Sequence, residues 1–394
     1  MHQGSTAGRY FSITNRVGAI PELDGLRGIA ILLVLVRHAI HPIYEQHGKL
    51  FEIGNWDVAI PLLNGWMGVG LFFVLSGFLI AHHLLHRWPA HFNRAFMLRY
   101  WAKRILRTFP AYYAAVFIAL FGLVPYFEAQ ALDTGYTLSV HLLFLQDYLG
   151  SDLVAAFWSL GVEEKFYLLC PLVLVYVRRI SLSRQIPLLL FLALLPAVLR
   201  LVTIAINQGQ FLNYADFFWT VRSPFHLAMD GLWIGVICAL VCNNERARLA
   251  MSVAITTRIC YGSIAILFVL MFGSAWFEQG LIYSSAIVLN LISLAFGALL
   301  LSVALQPTPI SNILRTVWLR ALSTISYSVY LLHLMLVPLA LKISQQLLPA
   351  GSISPMLHFL AFIPVFFLLS IAFGCALHFA VEKPFLIFKD RIRI

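Results

Sequence analysis

Ionisable side chains interrupt otherwise apolar runs at Arg37-His38, Glu163-Glu164-Lys165, Arg200, His226 with Asp230, and His333. A charge at bilayer depth costs at least ~2.5–3.5 kcal/mol on insertion scales, so such a group is expected to face a polar cavity or a partner. At about 1.5 Å of rise per residue, His38 lies roughly 17–18 Å from the inner end of its run, near mid-membrane. The same arithmetic places Glu163, Glu164 and Asp230 in a comparable depth band. An imidazole has a near-neutral intrinsic pKa, and with a carboxylate to hold its tautomer it can act as a general base. His38 is therefore the first candidate base, with Glu163 or Glu164 orienting its ring, and His333 is its rival. Lys165 and Arg200 read as structural ion pairs, the usual state of buried charge. His226 and Asp230 are four residues apart on one helix face, a pair with either a structural or an acceptor-binding role.

Other chemistries have no matching pattern. His82, His83 and His86 include an i, i+4 pair that could bind metal, but no carboxylate or third ligand accompanies them, and no metal is expected. There is no G-x-S-x-G elbow, H-E-x-x-H motif or P-loop.

The elements that must position these residues follow from composition. Of 394 residues, 61% are hydrophobic and only 11% charged, with a mean hydropathy of +0.85. Soluble domains carry about 25% charged residues, so a water-soluble globule is excluded and an all-α polytopic membrane protein is expected. Spanning-length apolar runs lie near 26–45, 60–84, 108–125, 158–178, 186–206, 225–242, 259–277, 283–305, 322–343 and 355–381. With both termini in the cytoplasm, 21 of the 27 Lys and Arg residues fall on the inner side, as the positive-inside rule requires. The net charge of +10 thus reflects membrane orientation, and no nucleic-acid partner is expected. The five cysteines all lie in apolar stretches and no disulfide is expected.

No long polar linker, repeat or low-complexity tract divides the chain. Residues 1–394 are expected to form a single integral-membrane domain, with 1–22 a cytoplasmic tail and no appended soluble domain. Residues 88–108 are basic and aromatic and read as a helix on the cytoplasmic surface. Residues 126–157 are acidic and half apolar, a segment expected to be re-entrant or packed against protein.

Six motifs occur in order. They are Glu22-Leu-Asp-Gly-Leu-Arg27-Gly-Ile-Ala leading to Arg37-His38, Phe72-Phe-Val-Leu-Ser76-Gly-Phe-Leu-Ile, and Arg104-Ile-Leu-Arg107 before Pro110. Then come Trp158-Ser-Leu-Gly-Val-Glu-Glu-Lys-Phe-Tyr, Ser326-Tyr-Ser-Val-Tyr-Leu-Leu-His333 and Glu382-Lys-Pro384-Phe. Together, across residues 22–385, they resemble the membrane acyltransferase 3 family. Gly161 stands where that family commonly has serine and Lys165 where it commonly has glutamine.

The resemblance implies transfer of an acyl group, usually acetyl, from cytoplasmic acyl-CoA to a hydroxyl of a sugar or glycan at the outer face. It implies a bacterial inner membrane location, and acyl-CoA as a donor substrate with no permanently bound cofactor. Acceptors of this kind include exopolysaccharide, lipopolysaccharide O-antigen and lipid-linked glycans; a small-molecule glycoside is the alternative. His38 matches the family's key position. Arg99, Lys103, Arg104 and Arg107 form a cationic, aromatic platform suited to an anionic donor, and Arg27 joins them as a donor-binding candidate. Arg104 and Arg107, at i, i+3, place two guanidinium groups on one helix face. A secondary transporter is the competing class, because coupled transport also uses intramembrane charge, but no inverted repeat is visible.

Overall fold

The computed structural model describes residues 20–50, 52–53, 56–57, 59–88, 93–131, 133–272, 282–347 and 355–392. Residues 1–19 of the expected tail, 89–92 of the basic stretch, 273–277 of the seventh expected span and Arg393 lie outside the described residues.

The chain is a helical bundle. Helix α1 (Pro21–His47) starts on a proline at its first position, with Glu22 and Asp24 in its first turn, where fixed φ and negative charge both favour a helix start. It stops at Gly48, whose φ of 73° is in the left-handed range and whose N–H donates to Tyr44 O at 2.8 Å. Two-residue strands β1 (Glu52–Ile53) and β2 (Trp56–Asp57) pair antiparallel beyond it. Next come α2 (Met67–His86) and α3 (Arg94–Leu120), the latter capped by the Asn93 side chain accepting from Phe96 N. Two short helices, α4 (Thr134–Leu142) and α5 (Gln146–Leu149), precede α6 (Trp158–Val177), α7 (Leu182–Ile206) and α8 (Asp230–Asn243). The remainder is α9 (Val253–Phe272), α10 (Ile282–Leu305), α11 (Val317–Leu332), α12 (Val337–Leu347), α13 (Pro355–Leu377) and α14 (Lys383–Arg391).

Each of the ten expected spans coincides with a helix or a bent pair, but they are not equivalent. By length and apolarity alone, five stretches among the described residues can cross a membrane: Ile60–His86, Ser183–Ile206, Val253–Phe272, Ile282–Leu305 and Met356–Arg391. The α11–α12 pair would make a sixth, bent by 93° between its two parts. α8 is only 14 residues long. α1, α3 and α6 are long enough but carry three or more Asp, Glu, Lys or Arg residues each. The basic stretch expected as a separate helix over 88–108 is the first half of α3, which runs through Pro110 without ending. A proline is tolerated there because neighbouring helices in a bundle can satisfy the carbonyl it frees.

Two large apolar cores divide the bundle, with a small third cluster around Ile204, Phe217, Val221 and Ala286. One gathers residues from α2, α6, α8 and α10, the other from α1, α3, α11 and α13. α1 contributes Leu26 and Ala30 to the first and Ile31, Val34 and Leu35 to the second, so it lies on the seam between them. α1 and α11 run parallel in close contact. Gly25 and Gly28 allow this, since a Cβ would come within 2.1 Å of Leu314 O and 2.4 Å of Leu319 O respectively. The Glu22–Arg315 ion pair, 2.6 Å, ties the same two elements at their start.

Candidate active site

The side chains singled out by the sequence separate into two groups along α1, an inner one beside its first turns and an outer one towards its end. In the inner group, Glu163 of α6 accepts from Ser76 Oγ at 2.6 Å and from Tyr167 OH at 3.1 Å. Arg27 of α1 and Arg107 of α3 are the cations facing that carboxylate. Glu164 faces Thr108 and Arg104. The Arg104 guanidinium lies 5.6 Å from the Tyr100 ring centroid and 5.8 Å from that of Tyr167. Arg104 Nε, Tyr100 OH and Trp101 Nε1 are buried without a hydrogen-bond partner among the described residues. Unsatisfied buried donors are rare in native proteins, and a cluster of them beside paired arginines suits an anionic, hydrogen-bonding ligand. Of the other two basic candidates, Arg99 is exposed, and Lys103 faces Arg87 and Asp390.

The outer group is a histidine pair. His333, fully buried at the end of α11, has Nδ1 2.7 Å from Tyr330 O, so that nitrogen carries the proton and Nε2 carries a lone pair. His333 Nε2 stands 3.2 Å from His38 Nδ1, which is also 2.9 Å from Val34 O. Two acceptors therefore face His38 Nδ1, which must be its protonated nitrogen. His38 Nε2 is left with a free lone pair, and His38 lines a cavity of about 440 Å³. This is the arrangement of a general base, an imidazole oriented through its other nitrogen. The orienting partner differs from the expected one. The groups facing His38 are His333, Arg37 and His41, and neither Glu163 nor Glu164 is brought to it. Arg27, which faces Glu163, precedes His38 by eleven residues of α1, about 16 Å.

The described residues of the segment 126–157 pack one side against the protein, with Thr137, His141, Gln146 and Asp147 fully buried while Tyr136, Leu143 and Leu149 stay exposed. His141 lies between Tyr112 OH, 2.9 Å from Nδ1, and Ser151 Oγ, 3.3 Å from Nε2. Burial lowers its pKa to about 4, against the opposing pull of Asp152. Burial likewise raises the Asp147 carboxyl above its ordinary value, although Lys165 beside it acts in the other direction. Lys165 and Arg200 are both paired, as expected: Lys165 with Asp147 at 2.5 Å, and Arg200 with Asp230 at 3.4 Å and with Asn290. His226 and Asp230 do not meet. His226 instead bonds Tyr148 OH at 3.0 Å, because the helix restarts at Asp230 and the two side chains diverge.

Ser76, Tyr167 and Tyr330 contribute to these groups without having been singled out, although all three lie inside the quoted motifs. Tyr330 OH donates to Ala156 O at 2.9 Å and meets Ser159 Oγ at 2.8 Å, fixing the residue whose carbonyl holds His333. Glu382, in the last motif, accepts from Ser328 Oγ at 2.8 Å and pairs with His378 at 2.8 Å, clamping the end of α13 to α11.

The acyltransferase domain family matches residues 20–375. The protein YrhL of Bacillus subtilis is 31% identical over 179 residues, covering 42% of this chain and 25% of the relative. Peptidoglycan O-acetyltransferase OatA of Listeria monocytogenes is 26% identical over 167 residues, 39% of this chain and 24% of its own length. O-acetyltransferase OatA of Staphylococcus aureus is 25% identical over 203 residues, 48% of this chain and 30% of its own. The chain thus spans between about a quarter and a third of the length of these relatives. No solved structure matches it.

Proposed function

Because the chain belongs to the acyltransferase domain family, we propose that it transfers an acetyl group from cytoplasmic acyl-CoA to a hydroxyl of a cell-envelope glycan on the outer side of the membrane. The observation that carries this reading is the lone pair left on Nε2 of His38, a residue that lines the cavity. The rival base, His333, has both ring nitrogens engaged. In this mechanism the acceptor hydroxyl gives its proton to His38 Nε2 as its oxygen attacks the thioester carbonyl. The C–S bond of the tetrahedral intermediate then breaks, and the proton passes to the departing thiolate to give free CoA. His333 accepts from His38 Nδ1–H throughout, which favours the transient imidazolium.

The donor would lie along α1. Arg27, Arg104 and Arg107 would hold its phosphates by charge-assisted contacts. A pantetheine arm of about twelve bonds reaches roughly 15 Å at about 1.2 Å per bond. That matches the separation of about 16 Å between Arg27 and His38 along the helix. In this topology all ten helical elements cross, α1, α3 and α6 turning their charges to the seam, with both termini cytoplasmic. The distribution of 21 of 27 basic residues supports that sidedness, and a cytoplasm-active reporter fused to the C-terminus should work. The name of the Listeria monocytogenes relative favours peptidoglycan as the glycan.

The test is purified protein in liposomes, with acetyl-CoA on the face bearing the arginines and a glycan fragment on the other. Release of CoA matched by acetylated sugar is expected. Movement of solute with no CoA release would favour the transporter reading.

A further inference from the structure

The cavity beside His38 is built by three separate parts of the chain: His38, His41 and Pro42 of α1, Tyr126 and Glu128 after α3, and Pro338 at the α11–α12 bend. Its volume of about 440 Å³ is within the usual small-molecule range of about 300–1,000 Å³. Tyr126 has a φ of 65°, a left-handed conformation that an aromatic residue adopts only at a cost in energy. Its side chain is nonetheless 60% exposed, with no hydrogen bond or ring contact to a described residue that would compensate. Residues held in this way cluster at ligand clamps. Glu128 is also exposed and makes no ion pair among the described residues, leaving its carboxylate oxygens free to accept. His41 Nε2 meets Glu45 Oε1 at 3.4 Å, placing a second carboxylate behind the wall. Among the described residues, no lysine or arginine lines the cavity. Arg37 is not among the lining residues and its Cβ lies toward Gly65, although its charge acts on His38 and His41 from beside the wall.

An aromatic face, a free carboxylate and an adjacent base make a site for a ring that offers C–H groups on one side and hydroxyl donors at its edge. We propose that this cavity is the acceptor subsite for an uncharged pyranose, and that it excludes acidic sugars. Tyr126 stacks on the C–H face and Glu128 accepts from two ring hydroxyls. His38 Nε2 meets the hydroxyl that reacts. A uronate or phosphosugar would set its own negative charge against Glu128 with no cation in the lining to offset it. The proposal rests on the acyl-transfer reading and adds to it the chemical class of the acceptor unit.

The experiment is calorimetric binding of methyl N-acetylglucosaminide and of methyl glucuronide to the full chain in nanodiscs, without donor. The unmutated protein should bind the neutral glycoside at least tenfold more tightly. Tyr126→Ala and Tyr126→Gly should both weaken that binding roughly tenfold, while Tyr126→Phe retains it. The glycine variant removes the left-handed strain, so it should melt no lower than the parent while binding as poorly as alanine. Glu128→Lys should bring the glucuronide level with the neutral sugar. Equal binding of both sugars by the parent, or parental affinity in Tyr126→Gly, overturns the proposal. The expected binding pattern without CoA release from acetyl-CoA would defeat the acyl-transfer reading alone. Transfer that is indifferent to both residues would defeat the subsite alone.

Discussion

Lys165 Nζ lies 2.5 Å from the Asp147 carboxylate, and Gly161, one turn earlier on α6, sits where a Cβ would come within 2.8 Å of the same oxygen. The two positions at which the sequence departs from the acyltransferase 3 pattern are thus one structural unit. Lys165 supplies the charge that Asp147 needs, and Gly161 leaves the space for it. Asp147 Oδ2 also accepts from Phe225 N at 3.2 Å and Asp147 O from Ser223 Oγ at 2.8 Å. The unit therefore joins α6 to both the 126–157 segment and the approach to α8.

Removing one partner strands the other. Lys165→Gln should destabilise the protein by about 3 kcal/mol, because Asp147 is fully buried and would lose its cation. Asp147→Asn in the same chain should recover part of that loss, with a coupling of roughly 0.5–3 kcal/mol. Thermal melting of the two single variants and the double variant reads this directly. Strictly additive losses would show that the pair is incidental.

The arginines proposed to hold the donor divide by position on α3. Arg104→Ala and Arg107→Ala should each raise the acyl-CoA KM by roughly 10- to 150-fold, the equivalent of a charge-assisted contact worth about 1.5–3 kcal/mol. Arg99→Ala should leave it unchanged, since that side chain is exposed and outside the inner cluster. Steady-state kinetics on membranes with matched protein levels will separate the two classes. An unchanged donor KM in both inner variants would assign those arginines to lipid contact.

Legibility from the sequence followed chain distance. The start of α1 could be read from Pro21, Glu22 and Asp24, and the importance of His38 from one mid-membrane imidazole. Its partner could not: His333 is 295 residues away, and only the close α1–α11 packing at Gly25 and Gly28 brings the two rings together. Depth was misleading for Glu163. The sequence places it in one depth band with His38, whereas the carboxylate faces Arg27 and Arg107, and Arg27 precedes His38 by eleven residues of α1. Depth along a helix also carries no information about which side of the bundle a residue faces. A surface helix over 88–108 and a span over 108–125 read as separate elements, yet α3 continues from one into the other through Pro110, a matter settled by neighbouring helices and invisible in local sequence.

His141 gives the 126–157 segment a pH dependence. Its pKa is about 4 when folded, lowered by burial, against an unfolded value near 6.5. Between these values the unfolded chain holds the extra proton, so stability falls as pH drops from 6.5 toward 4, by at most about 3 kcal/mol. Melting temperatures across that window should fall, and His141→Gln should flatten the slope. A parallel slope in the variant would place the titrating group elsewhere.

The central claim is that His38 Nε2 removes the proton of the acceptor hydroxyl while His333 only orients it. It is tested most directly by single-turnover acetyl transfer from saturating acetyl-CoA in His38→Ala and His333→Ala, with donor binding measured on the same samples. The account predicts a loss of about 10²–10⁴-fold in His38→Ala, a smaller loss in His333→Ala, and donor binding retained in both. Near-normal transfer by His38→Ala, with activity lost in His333→Ala, would contradict it.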